Sequence, residues 1–165
     1  MPAHKPASWH PRRLNCRPLV AAIFLAASQV GSQSITSTDG LSFGAFAAIA
    51  GGAGGTIVVA PNGSRTAPSG GVMLVGNGGA SAAKFAVSGT AGAAYSISLP
   101  VDGTVFLTDG NGHSMAINGF ASNPSATGTL FAGTQVLSVG ATLSFGSNQV
   151  PGNYSGDFNV TVNYP

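Results

Sequence analysis

The residue types that acid–base or nucleophilic chemistry needs come closest together in the stretch DGNGHS, residues 109–114. Asp109 and His113 lie four residues apart in a serine-rich chain, so the parts of a Ser–His–Asp triad are all present. A triad depends on an arrangement in space that closeness in sequence does not supply, and no G-x-S-x-G motif marks a nucleophile. The pattern therefore favours a solvent-exposed turn around His113.

A calcium loop is the second chemistry that this stretch suggests. Asp109 and Asn111 stand at the first and third positions of such a loop. An EF-hand also needs an oxygen ligand at the fifth position and a glutamate at the twelfth, where this chain has His113 and Phe120. The mismatch again favours a turn, and we expect no metal site.

The other acidic residues do not suggest an enzyme either. The chain has four aspartates, scattered along the sequence, and no glutamate. Hydrolysis by two carboxylates needs a pair about 5–10 Å apart, and no spacing marks such a pair. The glycine-rich stretch AGGAGGT at 50–56 matches neither a P-loop nor a dinucleotide-binding motif. We expect no catalytic residue and no cofactor.

The first 32 residues have the composition of a secretory signal peptide. Four of the six basic residues precede the apolar run at residues 18–32, and small residues near its end fit cleavage after Ser28 or, as we favour, Ser32. The run is short for a membrane span, which needs about 20 apolar residues, although a retained N-terminal anchor is the alternative. We predict a leader at 1–32, a short extension at 33–40 and an exported mature chain without a stable membrane span.

Removal of this leader changes the charge of the chain. Arg65 and Lys84 then stand against four aspartates, which gives a formal charge of −2 instead of +2. A nucleic-acid interface needs clustered basic residues, so we exclude that class of partner. The single cysteine, Cys16, leaves with the leader, so the mature chain has no disulfide framework and no thiol chemistry.

The rest of the chain has the pattern of an all-β protein. Short runs of alternating apolar residues recur between Gly, Asn and Pro, at the 8–12-residue spacing that is typical of a β-sandwich or barrel. Asn118-Gly119 is expected to form a bulge inside a strand rather than a hairpin turn. About nine strands are predicted, at 41–46, 55–61, 70–76, 83–89, 94–100, 103–108, 114–120, 135–146 and 154–164.

The same alternation predicts the core, which must carry the fold because so few charges can form ion pairs. The predicted core residues are Leu41, Phe43, Ile57, Val59, Phe85, Val87, Ile97, Leu99, Phe106, Ile117, Phe120, Val136, Leu143, Phe158, Val160 and Val162.

The stretch GDFNVTVNYP, residues 156–165, is the most regular of these strands. Phe158, Val160, Val162 and Tyr164 alternate with polar residues along it. The unpaired backbone groups of an edge strand can accept a strand from another chain. The four residues are therefore candidate contacts for strand addition, and the alternative is an ordinary last strand inside a closed sandwich.

Four stretches of the chain resemble a bacterial family, the domain of unknown function 4402. They are LSFGAF, GGVMLVG, AKFAVSGTAGAAYSISLP and LSVGATLSFGSNQVPGNYSGDFNVTVNYP, which together span nearly all of residues 41–165. That family is similar to spore-coat-U-type and other fimbrial subunits of the chaperone–usher kind. The resemblance implies an immunoglobulin-like antiparallel sandwich at 41–165, exported to the periplasm or surface of a Gram-negative-type bacterium.

The resemblance also implies partners. In pilins a periplasmic chaperone pairs with the C-terminal strand, and a sister subunit then completes the sandwich with its N-terminal extension. The extension predicted here has one large apolar residue, Ile35, with Ser37 and Asp39 on the same face. Ile35 is therefore a weak candidate for a donor strand.

Two functions stay open at this point. The first is a structural, pilin-like subunit that assembles by β-strand addition with a chaperone and sister subunits. The second is a self-contained periplasmic or surface binding module, such as an adhesin, that uses its polar loops. Acid–base catalysis needs positioned titratable groups, which this chain largely lacks.

Overall fold

The structure is a computed structural model that describes residues 32–49, 51–69, 71–76 and 79–165. All of the predicted leader except Ser32 lies outside the described residues. Within the described ranges the chain forms twelve strands and one short 3-10 turn, Phe131–Gly133. The strands are β1 (Ser34–Asp39), β2 (Phe46–Ala48), β3 (Gly55–Val59), β4 (Arg65–Thr66), β5 (Val72–Leu74), β6 (Ala83–Ser88), β7 (Ala94–Ser98), β8 (Val105–Thr108), β9 (Ser114–Asn123), β10 (Thr127–Thr129), β11 (Thr134–Phe145) and β12 (Thr161–Asn163).

The longest strand, β11, organises a seven-stranded sheet. Its first half pairs with β6 and its second half with β3, while β9 pairs with residues 138–144, from the middle of the strand nearly to its end. Strand β1 adds to β6, β4 to β3 and β8 to β9. A smaller sheet, β10-β7-β12, and a two-stranded pair, β2-β5, complete the described strands.

All of these strand pairs are antiparallel, and apolar side chains from the large sheet pack against those of the smaller one. The expected fold class, an all-β antiparallel sandwich, is confirmed. No helix in the described part of the chain is long and apolar enough to cross a membrane.

The core consists of two clusters of buried side chains. The first core cluster includes Ile57, Met115, Ile117 and Leu143, and the second includes Tyr95, Val87, Leu130, Leu137 and Val139. Three half-buried residues, Leu41, Phe120 and Phe158, contact both clusters. Each fully buried aliphatic or aromatic side chain contributes about 1.5–3 kcal/mol, so these clusters supply most of the stability.

Two of the predicted core residues are wrong. Val136 is 59% exposed and Phe106 is 46% exposed. Side chains alternate across a strand, so Val136 and Leu143, seven positions apart on β11, face opposite sides. The inward face of β11 is the one with Leu137, Val139 and Leu143, and on β8 the inward residue is Val105.

The bulge expected at Asn118-Gly119 is confirmed. Gly140 of β11 lies opposite Ala121 of β9, but Thr142 lies opposite Asn118, so β9 carries one extra residue at this point. Gly119 takes a φ of +57°, a conformation that glycine adopts without the steric penalty that a side chain brings.

The predicted strands 41–46 and 154–164 need correction. Residues 41–45 contribute only an isolated bridge between Ser42 and Ser81, and pairing begins at Phe46. The C-terminal ladder is confined to β12, with a second isolated bridge between Ser155 and Thr108. Strands β1, β4 and β10 were not predicted, because they are short or polar on both faces.

Candidate functional site

A deep groove opens on one side of the sandwich, with a volume of about 1210 Å³. Residues 39–48 form its first wall and residues 149–159 form its second wall. Its floor consists of side chains from β6, β8, β9 and β11, namely Ala83, Phe85, Leu107, Met115, Ile117 and Leu143. Pockets for small molecules usually have volumes of about 300–1,000 Å³, so this groove has room for a larger ligand.

The floor of the groove is part of the core. Met115, Ile117 and Leu143 are 4%, 2% and 1% exposed, yet they line the groove together with the half-buried Leu107. An apolar side chain that entered here would leave water and contact the core directly, which stabilises by about 25 cal/mol per Å² of apolar surface. The floor is therefore continuous with the core, and Phe85 and Leu107 are its partly exposed members.

Arg65 holds the first wall in place. Its Nη1 donates hydrogen bonds to the carbonyl oxygens of Phe43 and Ala45, at 2.9 and 3.1 Å. Its Nη2 donates to the carbonyl oxygen of Gly76 at 2.6 Å. The guanidinium carries five N–H donors in a rigid fork, so one side chain can fix several carbonyl groups. No carboxylate of the described residues forms an ion pair with Arg65.

The second wall is fixed at its middle and free beyond it. The backbone groups of Ser155 and Thr108 exchange hydrogen bonds of 2.8 and 3.0 Å, and Gly156 lies directly against the carbonyl oxygen of Phe106. From residue 156 to residue 160 no backbone hydrogen bond reaches any other described residue. Backbone groups that are not paired within a protein are available to an added strand.

The four C-terminal candidates all point inward. Phe158, Val160, Val162 and Tyr164 are half-buried and pack against the second core cluster, while the residues between them are exposed. Val162 lies opposite Ile97 of β7 in the ladder. Aromatic contacts fix the two ends of the stretch.

Phe158 and Tyr164 are positioned by other aromatic side chains. The ring of Phe158 lies 5.2 Å from that of Phe120 and packs edge-on against Phe85 at 6.3 Å. The ring of Tyr164 lies 6.0 Å from that of Tyr95, and its hydroxyl donates to the carbonyl oxygen of Ser88 at 3.1 Å. Burial raises the pKa of Tyr164, so this hydroxyl remains a donor at neutral pH.

Ile35 lies inside the sheet of its own molecule. It pairs with Val87 in the antiparallel ladder between β1 and β6, and its half-buried side chain contacts the second core cluster. The other five residues of β1 are exposed. Donation of this strand to a neighbour would therefore require β1 to leave β6.

Asp109 and His113 form a structured turn between β8 and β9. One carboxylate oxygen of Asp109 lies 2.6 Å from Nδ1 of His113, and the other accepts the backbone N–H groups of Asn111 and His113 at 2.8 and 3.1 Å. The hydrogen bond with the His113 side chain, assisted by those backbone bonds, lowers the pKa of Asp109 to about 2. These contacts account for the turn, and no serine hydroxyl bonds to His113 within the described structure.

Metal chemistry receives no support from the described side chains. Among them no group of three His, Cys, Asp or Glu residues lies close enough together to hold a metal ion.

Sequence reasoning found the inward face of the second wall and placed Phe85, Ile117 and Leu143 in the core, but it did not anticipate the first wall or that these residues form the floor of a groove. Arg65 carried a signal, because it is one of only two cations after residue 32. No sequence signal pointed to Leu107 and Met115, since their position beside the groove depends on which segments cover the sheet.

The fold and the groove thus define an all-β sandwich domain with an apolar-floored groove beside its core. The family model described as a domain of unknown function (DUF4402) matches residues 34–164, from β1 to beyond β12, and the chain belongs to this family. Neither a curated protein nor a solved structure matches the chain.

Proposed function

We propose that the protein is an exported structural subunit that assembles by β-strand addition, with the groove as the place where an extended segment of another chain binds. Its partners would be a periplasmic chaperone and other subunits at the cell surface. The observation that carries this proposal is the apolar floor of the groove, where the half-buried Phe85 and Leu107 lie beside core side chains such as Ile117.

The second wall supports the proposal. Residues 157–160, at the end of this wall and just beyond it, keep the inward–outward alternation of a strand, and residues 156–160 have no backbone partner among the described residues. An added strand would pair with this backbone and place alternate side chains on the floor, which is the chemistry of β-augmentation. Main-chain hydrogen bonds would supply affinity, and the floor would select apolar side chains.

Binding of a synthetic peptide tests the proposal. An extended peptide with apolar residues at alternate positions should raise the melting temperature of the protein, because a ligand that binds only the folded state stabilises it. Leu107→Gln, on the floor, should abolish the increase. Val101→Gln is the matched control, since Val101 is 73% exposed and does not line the groove.

The Leu107 and Val101 variants distinguish binding in the groove from binding elsewhere. A peptide-dependent increase that the Leu107 variant loses and the Val101 variant keeps supports strand addition. No increase with any alternating peptide, or the same increase in both variants, contradicts it.

A self-contained binding module is the second candidate, and one observation favours it. Phe131, the first residue of the 3-10 turn before β11, is 80% exposed. Aromatic side chains, phenylalanine among them, are enriched at protein interfaces. A glycan array tests this candidate: a signal that Phe131→Ser abolishes supports it, and a blank array across broad ligand classes counts against it.

A further inference from the structure

The two walls of the groove each carry one carboxylate. Asp39 in the first wall lies 3.4 Å from Nζ of Lys84, so its charge is partly balanced. Asp157 in the second wall is exposed and forms no ion pair or side-chain hydrogen bond with any described residue. Besides Lys84, the described residues contain one more lysine or arginine, Arg65, and its guanidinium donates to three carbonyl groups rather than to Asp157. The edge of the groove is therefore negatively charged.

Strand β1 of a second copy fits this groove poorly. Its sequence, SITSTD, offers Ile35 as its one large apolar side chain, whereas the floor is apolar throughout and leaves both Phe85 and Leu107 partly exposed. It would also bring a further carboxylate, its own Asp39, to a groove that already carries Asp39 and Asp157, and like charges repel. In its own molecule β1 is already paired along β6, from Ser34 opposite Ser88 to Asp39 opposite Lys84.

We infer that the groove receives an extended segment of a different protein, with apolar side chains at alternate positions and a lysine or arginine where the segment passes Asp157. This inference rests on the proposed function and adds the identity of the partner's chemistry. The apolar side chains cover the floor, the backbone pairs with residues 156–160, and the basic side chain complements the carboxylate of the second wall.

The charge contact selects among partners rather than supplying most of the affinity. Asp157 is exposed, and exposed ion pairs contribute little because water screens them. The preference for a basic segment should therefore be modest, about two- to fivefold in dissociation constant at low salt. It should shrink as salt is added, because the Debye length falls.

Three peptides that differ in one residue measure this preference. They share alternating apolar residues, and the variable position carries lysine, glutamine or glutamate. A fourth peptide has the sequence of residues 33–42, which contains β1. Binding of each to the exported and purified protein is followed by fluorescence anisotropy, at low and at high salt.

Asp157→Asn and Asp102→Asn are the matched variants. Asp102 lies away from the groove, and its Oδ1 accepts the N–H of Gly119, a role that the side-chain carbonyl of asparagine can also fill. In the unaltered protein and in Asp102→Asn, the lysine peptide should bind about two- to fivefold more tightly than the glutamine peptide, and the glutamate peptide more weakly. In Asp157→Asn the three peptides should bind equally.

Several results would overturn the inference. One is a lysine preference that persists in Asp157→Asn, and another is equal binding of all three peptides to the unaltered protein. Binding of the 33–42 peptide as tight as that of the lysine peptide, or self-assembly of the purified chain, would show that a second copy is the occupant. If no peptide binds at all, the proposed function fails as well, whereas binding without a charge preference overturns this inference alone.

Discussion

Ser155 and Thr108 tie the second wall of the groove to the large sheet, through two backbone hydrogen bonds of 2.8 and 3.0 Å. Immediately after this bridge the chain passes so close to β8 that residue 156 has no space for a side chain. Beyond it, residues 156–160 border the groove without a backbone partner among the described residues. This bridge therefore holds the second wall against β8.

Gly156→Ala should displace the second wall. A Cβ at this position would overlap the carbonyl oxygen of Phe106, which is backbone and cannot rotate away. We expect a loss of about 1–3 kcal/mol in the free energy of unfolding, the usual cost of overpacking, measured by urea denaturation. Gly152→Ala is the control, because the nearest atom to its Cβ would be 3.5 Å away. Equal stability of the two variants would contradict the close approach at Gly156.

Val160→Asp should destabilise the protein, whereas Asp157→Asn should not. Val160 is half-buried against the second core cluster, and a carboxylate there would lose hydration without gaining a partner. We expect a decrease of at least about 1 kcal/mol in the free energy of unfolding. Asp157 is exposed on the opposite face of the same stretch, so its substitution should change stability little. Equal effects of the two substitutions would overturn the assignment of the inward face.

Arg65→Ala should loosen the first wall. It would leave the carbonyl groups of Phe43, Ala45 and Gly76 without this donor, and we expect a loss of about 1–3 kcal/mol. Arg65→Lys should recover only part of it, because an ammonium group cannot reproduce the fork of a guanidinium.

Lys84→Ala provides the control for loss of a positive charge. Its pair with Asp39 is about half-exposed and is worth at most about 1 kcal/mol. Urea denaturation of all three variants measures the difference. If the Lys84 variant loses as much stability as Arg65→Ala, the carbonyl contacts are not what Arg65 contributes.

Acid should weaken the turn between β8 and β9. The hydrogen bonds from His113 and the backbone lower the pKa of Asp109 from 3.8 to about 2, so they stabilise the folded state while the carboxylate is ionised. This contribution is fully present above about pH 4 and is lost as the pH falls through about 2. The stability difference between the unaltered protein and Asp109→Asn should therefore be larger at pH 6 than at pH 2. A difference that does not change between these pH values would contradict the assignment.

The sequence predicted the fold class because the strands that build the core alternate strongly. Ile57 and Val59 on β3, and Val87 on β6, follow that alternation and are buried as expected. Val136 was misplaced because β11 is apolar on both sides near its start, so the alternation there does not identify the inward face. Tyr95 was missed from the core, and its hydroxyl reaches Gln135 at 2.6 Å, which makes its burial favourable.

Only the C-terminal side of the groove could be predicted from the sequence. Phe158, Val160, Val162 and Tyr164 repeat with period two, so their common face can be read from the sequence. The first wall is irregular between Leu41 and Ala45 and depends on a distant contact, since Arg65 lies some twenty residues away in sequence. No local pattern encodes such a contact.

Gel electrophoresis of surface extracts, with and without boiling, tests strand addition most directly. A strand inserted into the groove would be held by both backbone hydrogen bonds and apolar burial, so the complex should survive mild detergent and dissociate on heating. We expect heat-labile bands above the monomer that contain this chain, and their loss in Leu107→Gln but not in Val101→Gln. A single monomer band in unboiled extracts would contradict strand addition.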